Sequence, residues 1–63
     1  MQMKDVIREK RRACGFTQEQ VADFLGVSAP AVNKWESGTT CPDLAILPAL
    51  ARLLGTDPNT LLG

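Results

Sequence analysis

The chain contains no histidine. That absence removes histidine-based acid–base catalysis and every triad built on an imidazole. The two cysteines, Cys14 and Cys41, stand 27 positions apart as lone thiols. Without paired partners they form neither a zinc-finger set nor a redox CxxC site, so no metal is expected. One bridge between them is conceivable. In a short chain that opens without a signal-peptide pattern, the expectation is two reduced thiols and a cytoplasmic protein. No apolar run approaches the ~18 residues of a membrane span, so no membrane contact is expected. Strand-like alternation, internal repeats and low-complexity tracts are also missing.

What is there fits one small domain over residues 1–63, with an apolar share of 44%. A chain of this size buries only ~60% of the surface it exposes when unfolded, so its helices and caps must be well made. The formal net charge is zero, yet its distribution is uneven. Residues 1–12 carry Lys4, Arg8, Lys10, Arg11 and Arg12 against Asp5 and Glu9, and the remainder is acidic on balance. Such a basic end either faces phosphate or forms a solvated helix face, and charge alone leaves both open.

Glycines and capping residues divide the chain into five short helical stretches. Helix 1 is predicted from Met3 to Cys14, with Val6, Ile7 and Cys14 on its buried face and Gly15 just beyond its end. Helix 2 opens at Thr17, which caps while Gln20 reaches back, and Phe16 and Val21 take the staple positions. Gly26 ends it. Ser28 caps helix 3, Val27 and Val32 form a second staple, and Gly38 closes it. After a loop at residues 39–42, Asp43 is expected to cap helix 4, which runs to Leu54 and stops at Gly55. Asp57-Pro58 opens a last helix that ends at Gly63. Pro30 falls in a first turn, where its missing N–H has no partner to lose. Pro48 lies one turn past Asp43, which predicts an irregular start and regular helix only from about Leu47. The reading is all-α.

Helices 2 and 3, joined by a short turn on Gly26, make a helix-turn-helix pattern. Ala22 is small where the two would cross, and Gly26 supplies the left-handed turn residue. Val21, Ala22, Leu25, Val32, Trp35, Leu47, Leu50 and Leu54 are the predicted core. Ala29, Pro30, Asn33, Lys34 and Ser37 share the opposite face of helix 3, which is neither apolar enough for core nor charged for solubility. The Leu61-Leu62 pair reads equally as satellite core or as part of a dimer surface.

The stretch FTQEQVADFLGVSAPAVNKWESG closely resembles the Cro/C1-type helix-turn-helix domain of the xenobiotic-response-element regulators. The resemblance continues forward through PDLAILPALARLLG and DPNTLL and back through VIREKRRACG. It implies a compact, lambda-repressor-like bundle of five helices. The implied function is sequence-specific binding of double-stranded DNA by a transcriptional regulator, expected to be a repressor, acting as a homodimer. Helix 3, about Ser28 to Ser37, would then enter the major groove. Ser28, Ala29, Pro30, Asn33 and Lys34 match the family's base-reading positions. Thr17, Gln18, Ser37 and Thr39 match its phosphate-contact positions, and Arg11 and Glu36 match a pair that bridges helix 1 to the end of helix 3.

Three features depart from that pattern, one of them Lys10, which replaces a residue that is often apolar in helix 1. Ala29 and Pro30 stand where polar readers are frequent, and they offer only apolar contact, for instance to a thymine methyl. The isoelectric point near 6.1 lies well below that of a strong free-standing DNA binder, which predicts weak binding by one copy and useful affinity from a dimer. The chain reads either as a whole protein or as the excised N-terminal domain of a longer regulator, whose C-terminal sensor or oligomerisation segment would lie outside these residues. The alternative function is a protein-interaction or antitoxin-like module on the same fold. An enzyme is not expected: Glu36 has no second carboxylate or base beside it, and no phosphate loop or cofactor motif is present.

Overall fold

A computed structural model describes residues 2–62, so the expected end of helix 5 at Gly63 lies outside the described residues. Five helices follow in order: α1 Met3–Ala13, α2 Gln18–Leu25, α3 Ala29–Ser37, α4 Leu47–Leu53 and α5 Pro58–Leu62. Among the described residues there is no strand.

Each helix begins and ends for a local chemical reason. In α1 the Gln2 N–H donates to Asp5 Oδ2 at 3.3 Å, while Lys10, Arg11 and Arg12 occupy the last turn. Acid at the start and base at the end both complement the helix dipole. At α2 the capping box is complete. The Gln20 N–H donates to Thr17 Oγ1 at 3.0 Å and the Thr17 N–H to Gln20 Oε1 at 2.9 Å. Ser28 Oγ accepts from the Ala31 N–H at 3.3 Å and so starts α3. Gly26, at φ 72°, and Gly38, at φ 81°, end α2 and α3 in the left-handed conformation, which an L side chain adopts only with strain.

The start of α4 bears out the expected irregular turn and regular helix from Leu47, and corrects the cap. Asp43 does not cap it; Ile46 holds that position with no side-chain bond. Residues 43–46 form a separate turn in which the Asp43 carbonyl accepts from the N–H groups of Ile46, at 2.9 Å, and Leu47, at 3.2 Å. The reason is Pro48. With the helix beginning at Leu47, its missing N–H falls in the first turn, where no helical partner is forgone. α5 opens as anticipated, with Asp57 Oδ1 accepting from the Thr60 N–H at 2.6 Å.

One apolar cluster draws on all five helices: Val6 and Ile7, Val21 and Ala22, Val32 and Trp35, Leu47, Leu50 and Ala51, and Leu61, with Leu54 beside them. Leu61 is therefore core, while Leu62 is 56% exposed. Two anticipated core positions are not fully inside. Leu25 is half-buried, because it sits in the last turn of α2 at the edge of the cluster. Cys14 is exposed as a free thiol; the helix ends one residue earlier, and the sulfur points along the surface, donating to the Leu54 carbonyl at 3.6 Å.

Candidate nucleic-acid interface

Crossing α1, α2 and α3 brings a polar network to one side of the bundle. Its centre is Glu36, whose side chain is only 4% exposed at the end of α3. Arg11 of α1 grips it with two parallel bonds, Nε to Oε2 at 2.6 Å and Nη2 to Oε1 at 3.0 Å. The same guanidinium donates from Nη1 to the Phe16 carbonyl at 2.9 Å, pinning the α1–α2 connection. Arg8 donates to the Glu36 main-chain carbonyl at 3.0 Å, where α3 runs out of helical donors. Gln18, the first residue of α2, donates from Nε2 to Glu36 Oε1 at 3.2 Å. Burial pushes the Glu36 carboxyl up, but the bonds from Arg11 and Gln18 and the charges of Arg11 and Arg8 together hold it below the usual carboxylate range. Arg11 is raised in turn, chiefly by its hydrogen bond to Glu36. The pair is ionised, oriented and satisfied.

The residues singled out in the sequence fall around this network. Gln18, Ala29, Pro30, Asn33 and Lys34 line one open depression of about 420 Å³. Gln18 and Asn33 also border a smaller cleft of about 220 Å³ walled by Arg8, Arg11 and Arg12. The basic end of α1 thus faces the same side as the outer face of α3. Pro30, Asn33 and Lys34 are exposed, whereas Ala29 is half-buried against the core, contrary to the exposure expected of it. Its place in the first turn of α3, beside the turn from α2, turns its methyl partly inward. Ser28 and Thr17 are exposed, but their hydroxyls are engaged as caps. Ser37 Oγ donates to the Lys34 carbonyl at 3.1 Å and lies 2.9 Å from Thr39 Oγ1, which sets these two hydroxyls side by side at the end of α3.

Sequence reasoning missed three links: Arg8 to the Glu36 carbonyl, Gln18 to Glu36, and the Asn33 amide, whose Nδ2 lies 3.4 Å from Gln18 Oε1. They join residues 28, 18 and 15 positions apart. No periodicity reports such a contact, because it exists only once the helices cross. The one legible signal was the placement of Gln18 at the first position of α2. Among the described residues no group of histidine, cysteine, aspartate or glutamate side chains could hold a metal ion, and no helix is long and apolar enough to cross a membrane.

Capped short helices, a left-handed glycine turn between α2 and α3, and an exposed outer face on α3 define a helix-turn-helix domain. The helix-turn-helix family model matches residues 7–61, and the chain belongs to that family. It is 36% identical over 56 residues to the SPbeta prophage-derived uncharacterized HTH-type transcriptional regulator YonR of Bacillus subtilis, covering 89% of this chain and 52% of that protein. It is 33% identical over 63 residues to the cryptic phage CTXphi transcriptional repressor RstR of Vibrio cholerae, covering 100% of this chain and 56% of that one. The chain therefore spans about half the length of both relatives. Among solved structures, the P22 c2 repressor in complex with a synthetic operator superposes with a TM-score of 0.93 at 32% identity, over 98% of this chain and 94% of that one.

Proposed function

We propose that this chain is a sequence-specific DNA-binding domain of a transcriptional regulator, and that it represses. One observation carries the reading: the likeness to the P22 c2 repressor, a protein seen on operator DNA, extends over 98% of the chain with a TM-score of 0.93. RstR, also named as a repressor, matches along the whole chain. The partner is double-stranded DNA, and α3 enters its major groove. Ser28, Ala29, Pro30, Asn33 and Lys34 face base edges, while Thr17, Gln18, Ser37 and Thr39 contact the backbone. Residues 1–63 act as one domain in the cytoplasm, without cofactor, metal or enzymatic step.

Physical chemistry supports the roles of α3 and Gln18. Major-groove width admits one α-helix, and the outer face of α3 is exposed at Pro30, Asn33 and Lys34. The N-terminus of α2 presents backbone N–H groups and the positive end of a dipole to a phosphate beside Gln18. Arg8 and Arg12 add positive charge to the neighbouring cleft, where Arg11 is balanced by Glu36. With no net charge overall, one copy holds DNA weakly, so the regulator works as a homodimer, with any sensor or oligomerisation segment lying outside these residues. A gel shift against random-sequence and selected duplexes, titrated with salt, tests the reading. Phosphate neutralisation requires log K to fall linearly with log salt; binding that ignores salt, or none at all by the folded protein, would overturn it.

A further inference from the structure

The amide of Gln18 has its orientation dictated from inside the protein. Its Nε2 lies 3.2 Å from Glu36 Oε1, and an ionised carboxylate only accepts hydrogen bonds. Arg11, a pure donor, occupies both carboxylate oxygens at 2.6 and 3.0 Å and keeps Glu36 in that state. The nitrogen of Gln18 must therefore point inward and its oxygen outward. That oxygen faces Asn33, 3.4 Å from Nδ2. The second amide is thereby set as well: Asn33 turns one N–H to Gln18 and keeps its other N–H and its carbonyl oxygen for solvent. A buried charge fixes the polarity of two successive amides, the second of which stands exposed on the outer face of α3.

We propose that Glu36 is a positioning residue for base reading: acting through Gln18, it fixes the edge that Asn33 shows to the groove, and that edge selects adenine. The inference rests on the DNA-binding reading above. Its chemistry follows from counting donors. With one N–H committed to Gln18, Asn33 offers one donor and one acceptor. Adenine presents the N7 acceptor beside the N6 amino donor, which matches both. Guanine presents two acceptors, N7 and O6, and leaves the Asn33 oxygen facing another oxygen. Cytosine offers only a donor and thymine only an acceptor beside its methyl, so each satisfies half of the edge. If the amide of Gln18 were reversed, Asn33 would give its oxygen to Gln18 and present two N–H groups, the pattern guanine takes. The remaining N–H of Gln18 Nε2 stays free for a phosphate, so the same residue positions the domain and orients the reader.

The test compares four proteins in binding to a library of single-base variants: the unaltered chain, Gln18→Met, Asn33→Ala and the double variant. Gln18→Met keeps the side-chain length and leaves the Arg11–Glu36 pair intact, so folding survives where Glu36→Gln loses the pair. The unaltered chain prefers adenine over guanine at one base pair of its site, and Asn33→Ala reduces that preference by about tenfold. Gln18→Met reduces it by about fivefold or more, and adding Asn33→Ala to Gln18→Met then changes it little. Even weakening across all sequences by Gln18→Met, with the adenine preference intact, overturns the relay and leaves the DNA-binding reading standing. A guanine preference that depends on Asn33 also overturns it. Absence of salt-dependent binding by the folded chain overturns both. A DNA-free readout separates the cases further: the Asn33 side-chain amide resonances shift in Gln18→Met while those of Asn59 in α5 do not, and unchanged Asn33 resonances refute the link itself.

Discussion

At Glu36 a carboxylate sits 4% exposed against an arginine that is 11% exposed, so each charge depends on the other. Glu36→Ala strands the Arg11 guanidinium and is expected to cost about 3–5 kcal/mol, whereas replacing both by apolar residues of similar volume costs much less. Urea melts of the single and double variants check this. The folded-state pKa of Glu36 lies below its ordinary value. Its ionised form therefore stabilises the fold above the unfolded pKa of about 4.3, and the stabilisation is lost as pH falls through the folded value. The stability gap between the unaltered chain and Glu36→Gln should narrow in melts taken below about pH 4; a gap that widens in acid would contradict the assignment. Trp35 is a different kind of anchor. At 6% exposed in the central cluster, its truncation to alanine should remove about 3–5 kcal/mol, read as a large drop in melting temperature.

At the scale of single elements, turns and caps limit stability more than helix length does, since α2 to α5 run only five to nine residues. Gly26→Ala isolates one of these terms. An added methyl there meets nothing within 4 Å, yet φ stays at +72°. The expected loss is conformational only, about 1–2 kcal/mol, and a denaturant melt without a change in slope would show it. These elements were also the most legible part of the sequence. Thr17, Gln20, Ser28, Gly26 and Gly38 act over three or four residues, so their pattern is written locally. The cap of α4 was misassigned because Asp43 looks like one, whereas Pro48, which must sit in a first turn, placed the regular start at Leu47 correctly. Cys14, Leu25 and Ala29 were misjudged for a related reason. Helical periodicity assigns a face, but the edge of the core depends on where neighbouring helices end.

At the scale of the whole molecule, charge is balanced while its placement is not. Arg8, Arg11 and Arg12 stand on the side shared by Gln18 and Asn33; Glu36 balances Arg11 there, which leaves Arg8 and Arg12 as excess positive charge although the chain carries no net charge. Lys34, exposed one turn into α3, is expected to reach a guanine edge. Lys34→Ala should then cost about 1–3 kcal/mol on the preferred duplex and flatten the preference at one base pair. If it contacts phosphate instead, the salt slope drops by about one and the preference survives. Binding profiles taken at several salt concentrations distinguish the two outcomes. The candidate site was legible in part. Residue types along the outer face of α3 could be read in order, but the bonds that orient Gln18 and Asn33 required three helices to be placed against one another.

The division of labour along α3 has one more consequence. Val32, Trp35 and Glu36 hold the helix to the bundle, while Pro30, Asn33 and Lys34 lie outside it. Those three letters can be exchanged for others without touching what keeps the domain folded. On the proposed reading such a scaffold is a reusable handle for a variable key: the outward positions can be rewritten, whereas Ser28, which caps α3, and Ala29, half-turned into the core, belong to key and handle alike.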